Sequence, residues 1–216
     1  MRWHGKATLA DNKRPVRDIE FAPHHLGLRL AAASQDGTVR IYRANEVMNL
    51  EHWPVQGSFD TDVGEMGCLS LSWSKSAFDP PTICVGGHDG SVQLWREDEP
   101  RGWAKAAEIQ TEGPPGAVVD VDWAPNIGRS FNLLAIAKAA GGLHVCRLGR
   151  GEDIEIIECV ALQLGGNRLP WRVQWNAAGT LLACSTDDGL VSFFKNDGGE
   201  WVCVSQVVSK TAQHTP

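Results

Sequence analysis

The 216-residue sequence predicts an all-β fold: a partial β-propeller of four four-stranded antiparallel blades, preceded by a lone leading strand. Three observations carry this prediction. One order of features recurs four times: an alternating strand, a polar turn, a small-and-apolar strand, a glycine turn and an aromatic-ended strand. The anchor aromatics Phe21, Trp73, Trp123 and Trp175 stand about 50 residues apart, a spacing that marks a solenoid, propeller or array. The turns fall in one register, at Asp36-Gly37, Asp89-Gly90, Gly141-Gly142 and Asp188-Gly189.

The fourth unit, WRVQWNAAGTLLACSTDDGLVSFFK, displays the logic. Trp171, Val173 and Trp175 alternate with Arg172 and Gln174, the period of a strand with one buried face. Asn176 to Thr180 is a turn in which Gly179 can take a positive φ. Leu181 to Ser185 is apolar without alternation, which suits a strand covered on both faces. Asp187-Asp188-Gly189 predicts a tight hairpin, with Asp-Gly in the two positive-φ positions of a type I′ loop. Leu190 to Phe194 is the third strand. Three such strands cannot bury both faces alone, and a fourth, outer strand completes a propeller blade.

In chain order, Trp3 to Leu9 reads as an outer strand with no preceding strands to pair with. Val16 to Arg43 is the first inner unit. Ala44 to Trp53 predicts a short helical turn, capped by Asn45 ahead of Val47, Met48 and Leu50. Trp53 to Phe59 is the outer strand. The second unit, Cys68 to Arg96, contains a Pro80-Pro81 surface loop and is followed by the strand Trp103 to Ile109. The third, Val118 to Arg147, carries His144 and Cys146 where the others have aromatic residues, and Ile154 to Leu162 follows it. Trp201 to Val208 completes the fourth. The blades thus cover about 16–59, 68–109, 118–162 and 171–208 within one propeller unit, 1–209, and 210–216 reads as a disordered polar tail.

Hydrophobic residues at 43% supply a core, and the net charge of −6, without any run of lysines or arginines, argues against a nucleic-acid partner. Apolar runs such as Leu133 to Ala137 fall far short of the roughly 20 residues that span a bilayer, so no transmembrane segment is predicted. The first residues lack the apolar stretch of a secretory signal. The six cysteines include no C-x-x-C pair, several sit in apolar strands, and no N-glycosylation sequon occurs. Reduced thiols in an intracellular protein are expected.

No candidate chemistry survives a reading of its context. His24 and His25 are adjacent in an extended segment, point apart and have no nearby carboxylate or cysteine, so they read as a turn after Pro23. Cys84 and His88 lie four apart on a strand entering a turn rather than on a helix. Ser72-Trp73-Ser74-Lys75 matches the S-x-x-K pattern of serine acylases, which need the serine at a helix start; here it ends a strand. The expectation is no catalytic residue, no cofactor and no metal. Asp18, Asp120 and Asp122 recur at strand positions and are assigned structural hydrogen bonds. Asp36, Asp89 and Asp188 read as turn residues that accept backbone hydrogens, paired with Gly37, Gly90 and Gly189. Trp171, Val173, Trp175 and Phe193 are expected on an uncovered face of the last blade, where an apolar patch and strand edges invite a partner.

The repeat resembles the WD-repeat propellers. Where that family often ends its third strand in Trp-Asp, this chain has Tyr42-Arg43, Trp95-Arg96, Cys146-Arg147 and Phe194-Lys195. Three stretches, FAPHHLGLRLAAASQDGTVRIYRANEVMNLEHW, WAPNIGRSFNLLAIA and WRVQWNAAGTLLACSTDDGLVSFFKNDGGEW, are similar to the small nucleoporins of the Seh/Sec-thirteen family. Asn49 to Trp53 and Asn126 to Phe131 favour the Seh branch, whereas Trp201-Val202-Cys203-Val204 is closer to the Sec-thirteen branch. The resemblance covers residues 3–209. It implies an open propeller of six blades, completed by strands from a helical-solenoid nucleoporin within the Y-shaped scaffold of the nuclear pore. A related pair serves the SEA/GATOR complex, which regulates TOR signalling at the vacuole or lysosome. Against six blades, about two N-terminal ones are expected to be missing, as in a fragment or a shortened paralogue. A non-catalytic scaffold subunit is the function the resemblance implies. The alternatives are a Sec-thirteen-like vesicle coat subunit and a propeller-based enzyme, the latter disfavoured by the lack of convergent titratable residues. Fold by itself decides none of these.

Overall fold

The computed structural model describes residues 4–208 apart from Val47, Glu65, Glu99, Pro114, Gly141 and Glu152. Among these residues sixteen strands form four antiparallel sheets, each ordered as in the sequence. The first holds β1 (Val16–Phe21), β2 (Arg29–Ser34), β3 (Thr38–Arg43) and β4 (Val55–Asp60). The second holds β5 (Cys68–Trp73), β6 (Thr82–Gly87), β7 (Val92–Asp98) and β8 (Gly102–Ile109). The third comprises β9 (Val118–Trp123), β10 (Asn132–Lys138), β11 (Gly142–Leu148) and β12 (Ile156–Leu162). The fourth comprises β13 (Pro170–Trp175), β14 (Leu181–Thr186), β15 (Leu190–Asp197) and β16 (Glu200–Val208). The inner strands β1, β5, β9 and β13 pack in succession around a common channel, as the blades of a partial propeller do.

Burial follows from position in the arc. Every residue of β6 and β10 is buried, because each lies mid-sheet with a sheet on either side. β14 was expected to be covered on both faces, yet Leu182, Cys184 and Thr186 are buried while Leu181, Ala183 and Ser185 are half-buried. Among the described residues no sheet covers the second side of this blade. The anchor aromatics obey the same rule. Trp73, Trp123 and Trp175 are 0%, 2% and 6% exposed, each facing the preceding sheet. Phe21, at the equivalent place in β1, is 57% exposed and among the described aromatic rings meets only Trp53, at 6.2 Å.

Several sequence expectations are corrected. The leading strand is not formed over residues 4–9; Trp3 lies outside the described residues. A strand needs a partner's N–H and C=O groups, and no described sheet edge offers them there. Residues 12–15, which follow it, instead cross the free side of the first sheet. Arg40 Nη1 donates to Asn12 Oδ1 (2.7 Å), Gln35 N–H donates to Pro15 O (2.9 Å), and Tyr42 is fully buried beside Asn12. The helical turn expected after β3 is likewise absent from the described residues; Val47 lies outside them, and Glu46 forms an isolated bridge with Asn49. The Asn49 side chain accepts from Glu51 N–H (3.2 Å), a local bond that competes with a helix, and Met48 is 97% exposed, so no burial favours one. Among the described residues a single 3-10 turn is present, at His24–Leu26, entered from Pro23 and closed by Gly27 at φ 78°.

The Asp-Gly hairpins are not type I′. No described non-glycine residue has a positive φ, whereas Gly37, Gly90 and Gly189 stand at 82°, 87° and 80°. Each loop is a type I turn closed by a left-handed glycine, the commonest three-residue hairpin. Gly37 N–H donates to Ser34 O at 3.1 Å, with equivalent bonds from Gly90 to Gly87 and from Gly189 to Thr186. Of the third turn's Gly141-Gly142 pair, Gly141 lies outside the described residues. The polar tail assigned to 210–216 lies outside them too.

The cysteines also depart from expectation. Cys146 and Cys159 stand directly opposite on β11 and β12 and form a disulfide. The register of the two strands, which the sequence does not display, brings them together. Cys68, Cys84 and Cys184 are free and buried, and Cys203 is free and exposed.

Trp175 packs in the cluster that joins the third and fourth sheets and meets Trp201 edge-on at 5.6 Å. Trp175→Ala is expected to cost about 3–5 kcal/mol in chemical denaturation. A loss below about 1 kcal/mol would contradict the β13 register described above.

Candidate functional site

The junctions between sheets are built from a repeated clamp. Asp18 Oδ2 accepts Leu71 N–H (2.9 Å) and Glu20 Oε2 accepts Trp73 N–H (2.6 Å), while the Trp73 indole N–H donates to Glu20 O (3.2 Å). The same arrangement recurs at the third junction. Asp120 Oδ2 accepts Val173 N–H, Asp122 Oδ2 accepts Trp175 N–H, both at 2.8 Å, and the Trp175 indole donates to Asp122 O at 3.0 Å. At the middle junction hydroxyls stand in for carboxylates: Ser72 Oγ accepts Trp123 N–H (3.2 Å) and Ser70 Oγ donates to Val118 O (3.4 Å). The structural hydrogen bonds assigned to Asp18, Asp120 and Asp122 are therefore bonds between blades.

These side chains line a central channel of about 300 Å³, with Arg172 and Gln174 from β13. Burial pushes the Asp122 carboxyl up to about 6, against the opposing pull of Trp175 N–H and Lys75. Burial likewise pushes Asp120 up to about 6, against Val173 N–H and Arg172, and raises Asp18. Lys75 ion-pairs with Glu20, so the S-x-x-K match dissolves: Ser72 and Lys75 each serve a blade junction. His24 and His25 sit in the 3-10 turn with rings 5.9 Å apart. Cys84 is buried inside β6, and His88 is exposed in the following turn. Among the described residues no group of three or more His, Cys, Asp and Glu is placed to hold a metal ion.

The turn aspartates occupy equivalent places in the hairpins of the first, second and fourth sheets. Asp36, Asp89 and Asp188 accept the N–H groups of Thr38 (3.0 Å), Ser91 (2.9 Å) and Leu190 (3.2 Å). The Thr186 hydroxyl and then Arg168 hold the Asp188 carboxyl down to about 2.

The four residues expected on the uncovered face of the last blade divide between its two sides. Val173 and Trp175 are buried against the third sheet. Trp171 is 63% exposed, and Phe193 is half-buried on the free side, across from Ala183. The alternation that links Trp171 to Val173 is broken by a register shift between Pro170 and Arg172, which re-aims the tryptophan. The sequence reading missed most of the free side. Leu181, Ala183 and Val191 join Phe193 there, Val207 lies opposite Val191, and Arg172 and Gln174 border the inner edge. A shallow hollow of about 190 Å³ opens among Gln174, Leu181, Ala183 and Phe193. The missed signal is the parity of Leu181, Ala183, Val191 and Phe193, which marks one face once the strand partners are known.

The WD domain, G-beta repeat, matches residues 5–43. Nucleoporin SEH1-A of Xenopus laevis is 38% identical over 219 residues, covering 94% of this chain and 59% of that protein. Nucleoporin SEH1 of Homo sapiens is 39% identical over 218 residues, covering 93% of this chain and 59% of that protein. Nucleoporin SEH1 of Danio rerio is 38% identical, covering 93% of this chain and 58% of that protein. The resemblance to the Seh branch is borne out over nearly the whole chain. The chain spans rather less than two thirds of the length of these relatives.

The elevated carboxylates give stability a definite pH dependence. A carboxyl whose folded value exceeds its ordinary 3.8 binds its proton more tightly in the native state. Its contribution is greatest below that value and falls as pH rises from 3.8 towards about 6. Asp122→Asn retains an acceptor for Trp175 N–H and removes the titration. The variant is expected to flatten the urea-midpoint decline across that window and to be no less stable than the parent at neutral pH. An unchanged slope would show that the Asp122 carboxyl does not titrate in this way.

Proposed function

From this kinship with the Seh-type nucleoporins, we propose that the chain is a non-catalytic scaffold subunit of the nuclear pore that binds protein partners through the uncovered side of its fourth sheet. The observation that carries the proposal is that side itself: half-buried Leu181, Ala183 and Phe193 around a hollow, half-buried Val191 on the same side, and Trp171 exposed on β13. An antiparallel sheet with an apolar face gains stability when another sheet covers it. The partner in this reading is a helical-solenoid nucleoporin that contributes strands, and the four blades act as one unit. Residence is at the nuclear envelope, with the SEA/GATOR assembly and the surface of the vacuole or lysosome as the second setting for the same interface. The channel carboxylates support the non-catalytic reading, because their oxygens are engaged by backbone N–H groups of the neighbouring sheet. The turn pairs Asp36-Gly37, Asp89-Gly90 and Asp188-Gly189 are proposed to be purely structural. No described helix is long and apolar enough to cross a membrane.

Affinity purification of the tagged chain followed by mass spectrometry is expected to recover nucleoporins. Recovery of vesicle-coat subunits in their place would support the Sec-thirteen-like alternative. Phe193→Glu places a charge on the free side and is expected to reduce partner recovery at least tenfold while circular dichroism remains that of the parent. Trp171→Ala is expected to shift unfolding by less than about 0.5 kcal/mol, as an exposed residue should, while also weakening recovery. Undiminished recovery with both variants would remove this side from the interface.

A further inference from the structure

We infer that the cleft between the third and fourth sheets binds a short peptide segment carrying an acidic side chain next to an apolar one. This site is distinct from the free side of the fourth sheet and does not depend on the function proposed for that side. The cleft encloses about 360 Å³, within the range of pockets that accept small ligands. It opens between two packed sheets, so its walls are complete in the chain as it stands. The floor is apolar: Leu133, Val145 and Val160 come from the third sheet, with Leu133 and Val145 buried in the shared core. Trp201, from β16, walls the opposite side and is anchored edge-on against Trp175.

The rim is positively charged. Arg147 lies with its guanidinium 3.9 Å from the centre of the Phe131 ring, which holds the group in place while leaving its donors towards solvent. Lys195 approaches from the fourth sheet. Neither forms an ion pair with a carboxylate among the described residues. The third cation, Arg129, donates to Gly179 O and Pro125 O, both at 2.6 Å, and so ties a loop of the fourth sheet to the third and sets the width of the opening. Glu158 is the one carboxylate among the described residues that line the cleft, across the β11–β12 ladder from Arg147. Three cations against one anion is the reverse of the chain's overall balance, a net charge of −6.

Charge complementarity therefore selects an anion at the rim, and the floor selects an apolar group beside it. A nucleic acid is disfavoured, because two unpaired cations over a small apolar floor do not make the basic stripe that tracks a phosphate backbone. A carboxylate-bearing residue followed by leucine or phenylalanine meets both demands. Its carboxylate would accept charge-assisted hydrogen bonds from Arg147 and Lys195, and its neighbour would cover Leu133 and Val160.

The probe is a fluorescein-labelled peptide, Gly-Ser-Asp-Asp-Leu-Phe-Ser-Gly, titrated with the full chain and followed by fluorescence anisotropy. Saturable binding is expected, weakened at least tenfold when both aspartates are replaced by lysine or when leucine and phenylalanine are both replaced by serine. The double variant Arg147→Glu, Lys195→Glu is expected to abolish binding, and Thr180→Trp, which fills the mouth of the cleft, to do the same without altering charge. Phe193→Glu should leave the affinity unchanged, which separates failure of this site from failure of the partner-binding side. Circular dichroism on each variant reports that the fold is retained. The proposal is overturned by no saturable binding up to about 1 mM, a ceiling already weak for a specific site. Equal affinity for the lysine peptide, or undiminished binding by either folded cleft variant, overturns it as well.

Discussion

The structure depends on how the innermost strands are joined. Each inner strand is an edge of its sheet, so half of its N–H groups have no ladder partner and would be left unsatisfied as the blades close around the channel. Asp18 and Glu20 answer this for β5, and Asp120 and Asp122 for β13. Each pair of carboxylates reaches over one junction and accepts two backbone N–H groups two residues apart. That spacing fixes the register of one sheet on the next, and the indole N–H of Trp73 or Trp175 locks it by donating to the main chain behind the carboxylate. The recurrence of anchor aromatics along the sequence is the outward sign of this contact.

The clamp has an electrostatic cost that the middle junction avoids. A carboxylate accepting backbone N–H groups would ordinarily ionise readily, yet burial dominates, and Asp120 and Asp122 are held near 6. Ser70 and Ser72 serve the second junction without charge, but they engage only one backbone N–H of the next strand, and the buried Trp123 indole N–H there finds no acceptor among the described residues. Charged and neutral junctions thus trade ionisation cost against complete hydrogen bonding. Packing compensates in the middle, where β6 and β10 are buried along their whole lengths.

Much of this architecture was legible in the residues, for identifiable reasons. Alternation around Trp73, Trp123 and Trp175 and the repeated turns specify strands and their order, since both are local properties of the chain. What escaped the reading depends on partners distant in sequence. The Cys146–Cys159 bond needs the β11–β12 register, and the sidedness of Trp171 needs the irregularity after Pro170. The hairpins were placed at the right residues with the wrong turn, because Asp-Gly is compatible with both geometries and the φ of the aspartate, not positive here, distinguishes them. Of the candidate partner-binding residues, Val173 and Trp175 proved to be core, and the apolar residues that do face outward are too small and too scattered along β14 and β15 to signal a surface by themselves.

The inner edge of the fourth sheet differs in chemistry from the junctions before it. At the places where β1 and β9 carry carboxylates and β5 carries hydroxyls, β13 carries Arg172 and Gln174. Arginine has no acceptor for a backbone N–H. A strand laid against β13 as β13 lies against β9 would find Gln174 Oε1 as its acceptor and would meet the Arg172 donors where an N–H needs a carboxylate. Arg172 already leans back towards Asp120, at 3.4 Å, along the wall of the channel. The repeated clamp therefore stops at the fourth sheet, while the apolar side beyond it continues in Ala183, Val191 and Phe193. A covering element suited to that combination brings its own carbonyl or carboxylate to Arg172 and an apolar face to the rest. Those are demands that the blades of this chain do not make of one another.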